Sequence, residues 1–411
     1  MSNVSPVVGS DPTSAPIPLY VKKGGDRRLR FGHPWIFSNE IDTRRSPLKG
    51  LEPGDLVTLR NSQEEVLGCG YVNPRTLISV RLVSRQPEQH LGGELIRERL
   101  NRALSWRERT FTTPFYRAVY GESDGLPGLI VDRYDDVLVA QLTTAGMERM
   151  REQVVNALVE RLRPRAVYLK NDTSARDLEG LEPYAESAYG DLPETVHFEE
   201  NGAHFEVSPR VGQKTGWFFD HRANRRRILP VCDGQRVLDL FSYTGAWGVQ
   251  AAAAGARDVL CVDSSAPAIE QVGRHAALNG VEDRVKAERM EVFECLRALR
   301  AAGERFDVVI ADPPAFIRRK KDAAKGFEAY RRLNGLAMQL LSPGGLLVSA
   351  SCSFHLPREK LIEILARVSG GLGRRAMVVG EGHQDADHPI HPALPESCYL
   401  KTFFVRVEEA D

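Results

Sequence analysis

Cys352 and Asp312 are the two residues of this sequence best placed to make a bond and to read a hydrogen-bonding edge. Cys352 stands between Ser351 and Ser353, straight after the apolar run Leu346-Leu-Val-Ser-Ala350. A thiol at such a polar strand exit is poorly explained by core packing and reads as a nucleophile. Cys232, Cys261 and Cys295 better suit the plain role of small buried hydrophobes. Asp312 opens Asp312-Pro-Pro-Ala-Phe316 after a second apolar run, Val308-Val-Ile-Ala311. Pro313 and Pro314 lack an N–H and stiffen the turn. The Asp312 carboxylate is then expected to face the hydrogen-bonding edge of a ligand, with the Phe316 ring packed nearby. A third stretch, Val237-Leu-Asp-Leu-Phe-Ser-Tyr-Thr-Gly245, runs into a glycine turn, where the backbone can approach a ligand closely. Asp239, before the turn, suits an amine-bearing or cationic cofactor. Asp263 lies about 20 residues beyond the glycine, where an acid can accept hydrogen bonds from ribose hydroxyls.

These residues need strands that end on one side of a sheet. Val237 to Leu240 reads as a buried strand, Thr244-Gly245 as its turn and Ala246 to Ala254 as an alanine-rich helix. Strand, glycine turn and helix form the nucleotide-binding half of a doubly wound α/β sheet. The dinucleotide fingerprint G-x-G-x-x-G is absent, since the turn reads Ser-Tyr-Thr-Gly-Ala-Trp-Gly. Asp258 to Asp263 is a second strand, and Val285 begins a third that leads to Glu288-Arg-Met-Glu291. Phe306 to Ala311 is a fourth. Leu346 to Phe354 is a fifth, after a helix expected to end in the glycine turn Ser342-Pro-Gly-Gly345. The fourth and fifth strands are neighbours in such a sheet, so Asp312 and Cys352 should converge on one crevice. Upstream, Gly212 to Arg222 mixes glycines, aromatics and charge before a helix at Asn224 to Leu229, and can close over a cofactor.

The rest of the chain divides by pattern. Residues 1–18 are Ser/Pro-rich and read as a flexible tail. Residues 19–88 show short strands between Gly, Pro and Asn turns, a small β-barrel. There Trp35 and Phe37 are expected in the core, amid arginines that form a solvated or RNA-facing surface. Residues 89–202 read as a middle α+β domain. It has a charged helix from Leu91 to Phe111, a hairpin at Leu129 to Leu142 and a helix at Glu148 to Leu162. No chemistry is visible in it, and it is expected to space the barrel from residues 203–411, the catalytic domain. Charge is balanced, 55 basic against 55 acidic side chains, which excludes a chain whose whole surface binds nucleic acid. The basic run Arg318 to Lys325 is a local exception beside the expected site, where phosphates would pass. The six cysteines form no C-x-x-C pair, so neither a metal site nor a disulfide framework is expected. Residues 1–18 do not read as a signal peptide and no apolar run reaches membrane length, so the expected location is the cytoplasm.

From Val237 onward the pattern resembles the class I methyltransferases that use S-adenosylmethionine. Asp312-Pro-Pro-Ala-Phe316 resembles the D/N-P-P-Y/F motif of those acting on bases and other planar amides. Gly32-His-Pro-Trp-Ile-Phe37 with Pro53-Gly-Asp-Leu-Val57 resembles the PUA domain, a small RNA-binding barrel. The whole order, from about residue 19 to the C-terminus, resembles the RlmI family of bacterial 23S ribosomal RNA (cytosine-C5)-methyltransferases. Further residues carry this likeness: Gly212-Gln-Lys-Thr-Gly-Trp-Phe-Phe-Asp-His-Arg222, Gln384-Asp-Ala-Asp-His-Pro-Ile-His-Pro392 and Tyr399-Leu-Lys401. The resemblance implies a Rossmann-like methyltransferase domain behind a PUA-like barrel, with S-adenosylmethionine as cofactor. It assigns the cofactor to Asp239, Phe241, Tyr243, Thr244, Gly245, Asp263, Ser264, Glu291 and Asp312, with Glu291 at the adenine amino group. It assigns catalysis to Cys352 and Asp312, and 23S ribosomal RNA as partner. It leaves room for a homodimer and implies neither metal nor membrane.

Cytosine C5 is a poor nucleophile. A thiolate added to C6 turns C5 into an enamine carbon, and later loss of the C5 proton expels the thiolate. Asp312 is placed to hydrogen-bond or protonate the N3/N4 edge. No cysteine stands directly after the Asp-Pro-Pro, unlike in many RNA cytosine-C5 enzymes, so Cys352 would serve both addition and release. Two other readings stay open: methylation of a purine nitrogen with Cys352 as structure, and a non-catalytic RNA-binding assembly factor.

Overall fold

The computed structural model describes residues 16–212 and 215–410. Most of the expected tail, and Gln213-Lys214 of the glycine-rich loop, lie outside them. Chain order begins with five short strands: β1 (Ile17–Tyr20), β2 (Trp35–Phe37), β3 (Asp55–Arg60), β4 (Val66–Val72) and β5 (Ile78–Ser84). They form one sheet in the order β1-β3-β4-β5-β2 around Leu19, Val57, Leu59, Val72 and Val80. Ile17 and Pro18, expected in the tail, already pair with Val57 and Thr58. An edge strand tolerates the proline because its outer side donates to no neighbour. Trp35 is only half-buried, and its Nε1 donates to Glu122 Oε1 at 2.8 Å, tying this sheet to the next unit.

The helix Gly93–Thr110 leads into β6 (Phe115–Tyr120), β7 (Leu129–Tyr134), β8 (Val137–Leu142), β9 (Ala166–Asn171) and β10 (Tyr184–Gly190). Their order is β10-β9-β8-β7-β6, antiparallel except for β8 against β9. That parallel pair needs a crossover. It is supplied by the helix Arg151–Leu162, which buries Val154, Val155 and Leu158. Asp135 takes φ +57° in the tight turn between β7 and β8. The hairpin β11 (Val196–Glu200) and β12 (Ala203–Val207) spans residue 202. Phe198 and Phe205 pack with Trp217 and Phe219, and this core runs on without a break to Val237, Val259 and Trp247.

The last sheet has seven strands: β13 (Arg236–Leu240), β14 (Asp258–Asp263), β15 (Val285–Arg289), β16 (Phe306–Ala311), β17 (Leu341–Ser351), β18 (Arg374–Gly382) and β19 (Lys401–Glu409). The order is β15-β14-β13-β16-β17-β19-β18, parallel through β17 and antiparallel beyond. The expected helix ending in Ser342-Pro-Gly-Gly345 stops earlier, at Gln339, and β17 begins at Leu341. Leu341 pairs with Phe306 and Leu346 with Val308, so the register shifts across the glycines, with Gly344 at φ +78°.

Candidate active site

The chain leaves β13 toward one edge of the sheet and returns to β16 on the other side, so a crevice opens at the carboxyl ends of these two strands. A cavity of about 300 Å³ occupies it. Phe241, Ser242, Tyr243 and Thr244 line it after β13, and Asp263, Ser264 and Ser265 after β14. Asp312, Pro313 and Pro314 come from the end of β16, and Cys352 from the end of β17. The convergence expected of Asp312 and Cys352 is therefore present in the fold.

Asp239, two residues before Phe241, is not itself among the residues lining the cavity; it is fully buried and accepts a hydrogen bond from Gly248 N–H at 2.9 Å. Burial pushes its pKa up to about 8, with the Asp312 and Asp263 charges adding to the rise and the Gly248 hydrogen bond opposing it. Asp239 Oδ1, Ser242 Oγ and Thr244 Oγ1 are buried with no hydrogen-bond partner among the described residues. A ligand carrying an ammonium and hydroxyls fits that set, as S-adenosylmethionine does. Asp263 accepts from Tyr243 N at 3.0 Å and Ser265 N at 2.9 Å, and these bonds aim its carboxylate. A carboxylate offers about four acceptor positions, so it still has capacity toward hydroxyls. Phe241 and Tyr243 take φ +59° and +48°, a left-handed conformation uncommon for bulky residues. Such strain gathers where a loop is shaped for a ligand. Gly245 is left-handed too, at φ +82°, between the side chains of Val249 and Val272.

Glu291 is not brought to the cavity. It caps the helix Val292–Ala301, its Oε2 accepting from Glu294 N at 3.1 Å. Phe316 does not line the cavity either; it packs against Phe241, Phe293 and Tyr330. The Asp312 carboxylate is not free, as the prolines alone suggested. Trp247 Nε1 donates to Oδ2 at 3.1 Å, and His221 Nε2 lies 3.3 Å from Oδ1. Burial raises the Asp312 pKa, but the His221 charge and the hydrogen bonds from His221 and Trp247 outweigh it and hold the group below its ordinary value. Asn224 Nδ2 lies 3.2 Å from His221 Nδ1, leaving Nε2 as the ring nitrogen toward Asp312.

His221, Asp220 and Phe218 come from the loop between β12 and the helix Arg222–Cys232, and that loop is clamped from two sides. Buried Glu200 accepts from Arg225 Nε at 2.6 Å, Trp217 Nε1 at 2.9 Å and Gln250 Nε2 at 2.9 Å. On the other side Arg117 pairs with Asp132, which also accepts from Thr215 Oγ1. The middle unit is thus more than a spacer: its sheet holds the loop that carries His221. His221 and Trp247 were missed because nothing local in the sequence ties them to Asp312. The mixture of aromatics and charge at 212–222 was the available signal.

The helix Ala246–Ala253 packs tightly over β13 and β14. A Cβ on Gly248 would sit 2.4 Å from Cys261 Sγ and 3.1 Å from Asp239 Oδ2. Gly248→Ala is therefore expected to destabilise the fold by about 1–3 kcal/mol, as overpacking does. It should also weaken S-adenosylmethionine binding by moving Asp239. Urea denaturation beside calorimetry checks both; unchanged values would mean the helix shifts freely.

A PUA-like domain model matches residues 19–85, and a model of the S-adenosylmethionine-dependent methyltransferases matches residues 181–376. The "Ribosomal RNA large subunit methyltransferase I" of Serratia proteamaculans is 36% identical over 395 residues, 95% of this chain and 99% of that protein. The chain belongs to that family. Its namesake in Shewanella denitrificans is 37% identical over 398 residues, again 95% of this chain and 99% of the relative. Two solved chains described as candidate methyltransferases share the fold at 22% identity. One is in complex with SAH (TM-score 0.81) and the other is from Streptococcus mutans (TM-score 0.80); each alignment covers 95% of this chain and all of theirs. As a family member the chain is an S-adenosylmethionine-dependent methyltransferase, with a PUA-like N-terminal unit and a Rossmann-like catalytic sheet. Among the described residues no helix is long and apolar enough to cross a membrane, and no group of three or more His, Cys, Asp or Glu could hold a metal ion.

Proposed function

We propose that this enzyme methylates C5 of a cytosine in large-subunit ribosomal RNA, through a covalent bond from Cys352 to C6. The observation that carries the reading is the shared cavity: Cys352 opens into the same space as Asp312, Thr244 and Asp263. When bound, S-adenosylmethionine supplies an electrophilic methyl group. Asp239, Ser242, Thr244 and Asp263 would hold it, while Phe241 and Tyr243 shape the wall. The Cys352 thiolate adds to C6, and the C5=C6 electron pair moves to C5, the carbon that bears the methyl group in the product. That pair becomes the new C5–methyl bond; on loss of the C5 proton the C5–H electrons rebuild the C5=C6 double bond and expel the thiolate with the C6–S pair. Asp312, held low in pKa by His221 and Trp247, is an acceptor at neutral pH. It suits the cytosine N4 amino group or a protonated N3.

The relatives' name supplies the RNA. The exposed run Arg318–Lys321 stands just beyond Pro314 and suits passing phosphates. We keep the division 19–88, 89–202 and 203–411 as a working description, with the β11–β12 hairpin packed into the core of the last unit. Incubating unmodified 23S RNA with enzyme and S-adenosylmethionine, followed by nucleoside mass spectrometry, should yield 5-methylcytidine. A methylated purine would refute the base and the role of Cys352. No product on naked or assembling RNA, despite cofactor binding, would favour a non-catalytic assembly factor.

A further inference from the structure

Lys401 begins β19 directly opposite Ser351, the residue before Cys352. Its ammonium donates to Ser353 O at 2.8 Å and to Leu356 O at 3.1 Å. The side chain is half-buried, and no carboxylate lies within ion-pair distance among the described residues. Burial lowers its pKa, and the titratable groups that face it are the thiols of Cys398 and Cys352, whose ionisation raises it. A half-buried ammonium paired only with carbonyls carries an uncompensated desolvation cost. Two of its three N–H groups are used, and one remains. The Tyr330 hydroxyl also adjoins Cys352, 2.7 Å from Ser351 Oγ and 2.9 Å from Ser353 Oγ. Asp220, His221 and Asp312 line the same cavity as Cys352, two of them acids.

We propose that Lys401 is the positioning residue that holds Cys352 as a thiolate, a fixed cation bonded to the carbonyl of the very next residue. The inference rests on Cys352 as the nucleophile, but its test reads the thiol directly. Neither a general role in folding nor the two carbonyl hydrogen bonds alone would move the thiol's titration.

The test uses the full chain carrying Cys398→Ser. Cys69, Cys232, Cys261 and Cys295 are buried, so Cys352 is then the reactive thiol. Iodoacetamide alkylation of Cys352, followed by peptide mass spectrometry from pH 5.5 to 10, gives the midpoint of thiolate formation. The parent midpoint should lie below the ordinary free-thiol value of about 8.5. Lys401→Met should raise it by about one unit, a roughly tenfold slower reaction at pH 7, and Lys401→Arg should restore most of the loss. Lys401→Gln keeps a donor for the two carbonyls without the charge, and covers the case in which the methionine variant does not fold. It should shift the midpoint equally. Midpoints unchanged in folded, S-adenosylmethionine-binding variants would overturn the proposal. A shifted midpoint in an enzyme that makes no 5-methylcytidine would keep the Lys401–Cys352 pairing and sink the reaction assigned to it; product with no shift would do the reverse.

Discussion

Cys352→Ala should lose at least ~10³-fold in kcat/KM for cytosine methylation while binding S-adenosylmethionine within about threefold of the parent. The expectation follows from where the side chain sits. Cys352 is half-exposed at the cavity edge, so its truncation leaves little void and should change stability by under about 1 kcal/mol. Its neighbours hold one another without it. Ser351 Oγ donates to the Tyr330 hydroxyl at 2.7 Å, and Ser353 N donates to Ser351 Oγ at 3.1 Å. The strand exit therefore keeps its shape, and the loss falls on chemistry. A second readout isolates the covalent step. RNA with 5-fluorocytosine at the target has no C5 proton to surrender, so the parent enzyme should remain bonded to it through denaturing electrophoresis, and Cys352→Ala should not. A variant that turns over near normally, with no trapped adduct in the parent, would move the reaction to a ring nitrogen and leave Cys352 as structure.

The parts of this site that could be read from sequence are those set by local chemistry. The apolar run Val237 to Leu240 followed by a glycine turn specifies a buried strand and a ligand-facing loop, and the fold keeps both. Cys352 and Asp312 were legible because each follows a strand-length apolar run, and adjacent parallel strands end together. What was illegible depends on contacts between distant residues. The claim of Trp247 on Asp312 spans 65 positions, and no periodicity encodes it. The left-handed backbone at Phe241 and Tyr243 is hidden because neither residue type advertises that conformation. Glu291 was assigned by likeness to the adenine edge, although Glu291-Val-Phe-Glu294 also reads as a helix start whose acid takes the free amide three residues on. The middle unit looked inert because the partners of Arg117, namely Asp132 and the nearby Thr215, become a clamp only when its sheet meets the loop that carries His221.

Asp239→Ala should weaken S-adenosylmethionine binding by about 10²–10³-fold, the scale of removing one partner from a buried charge pair. Asp239→Asn should lose nearly as much, because it keeps the shape and gives up the charge. The buried carboxylate has one oxygen on Gly248 N–H and the other without a partner among the described residues. With its pKa at about 8, the acid is mostly protonated at pH 6 in the free enzyme. A cationic ligand must displace that proton, so affinity should rise by up to about tenfold per pH unit below this value and level off above it. Calorimetry in buffers of different ionisation enthalpy should show close to one proton released per cofactor at pH 6.5, and none for Asp239→Asn. Folding stability has the opposite dependence. Between the ordinary carboxylate pKa and about 8 the folded state holds a proton that the unfolded chain has lost, so Asp239 makes stability fall as pH rises through that window. Asp239→Asn should flatten this fall in urea titrations from pH 5 to 8. Affinity independent of pH, with no proton release in the parent, would mean that Asp239 is already ionised in the free enzyme and that Gly248 and its helix start supply the compensating field.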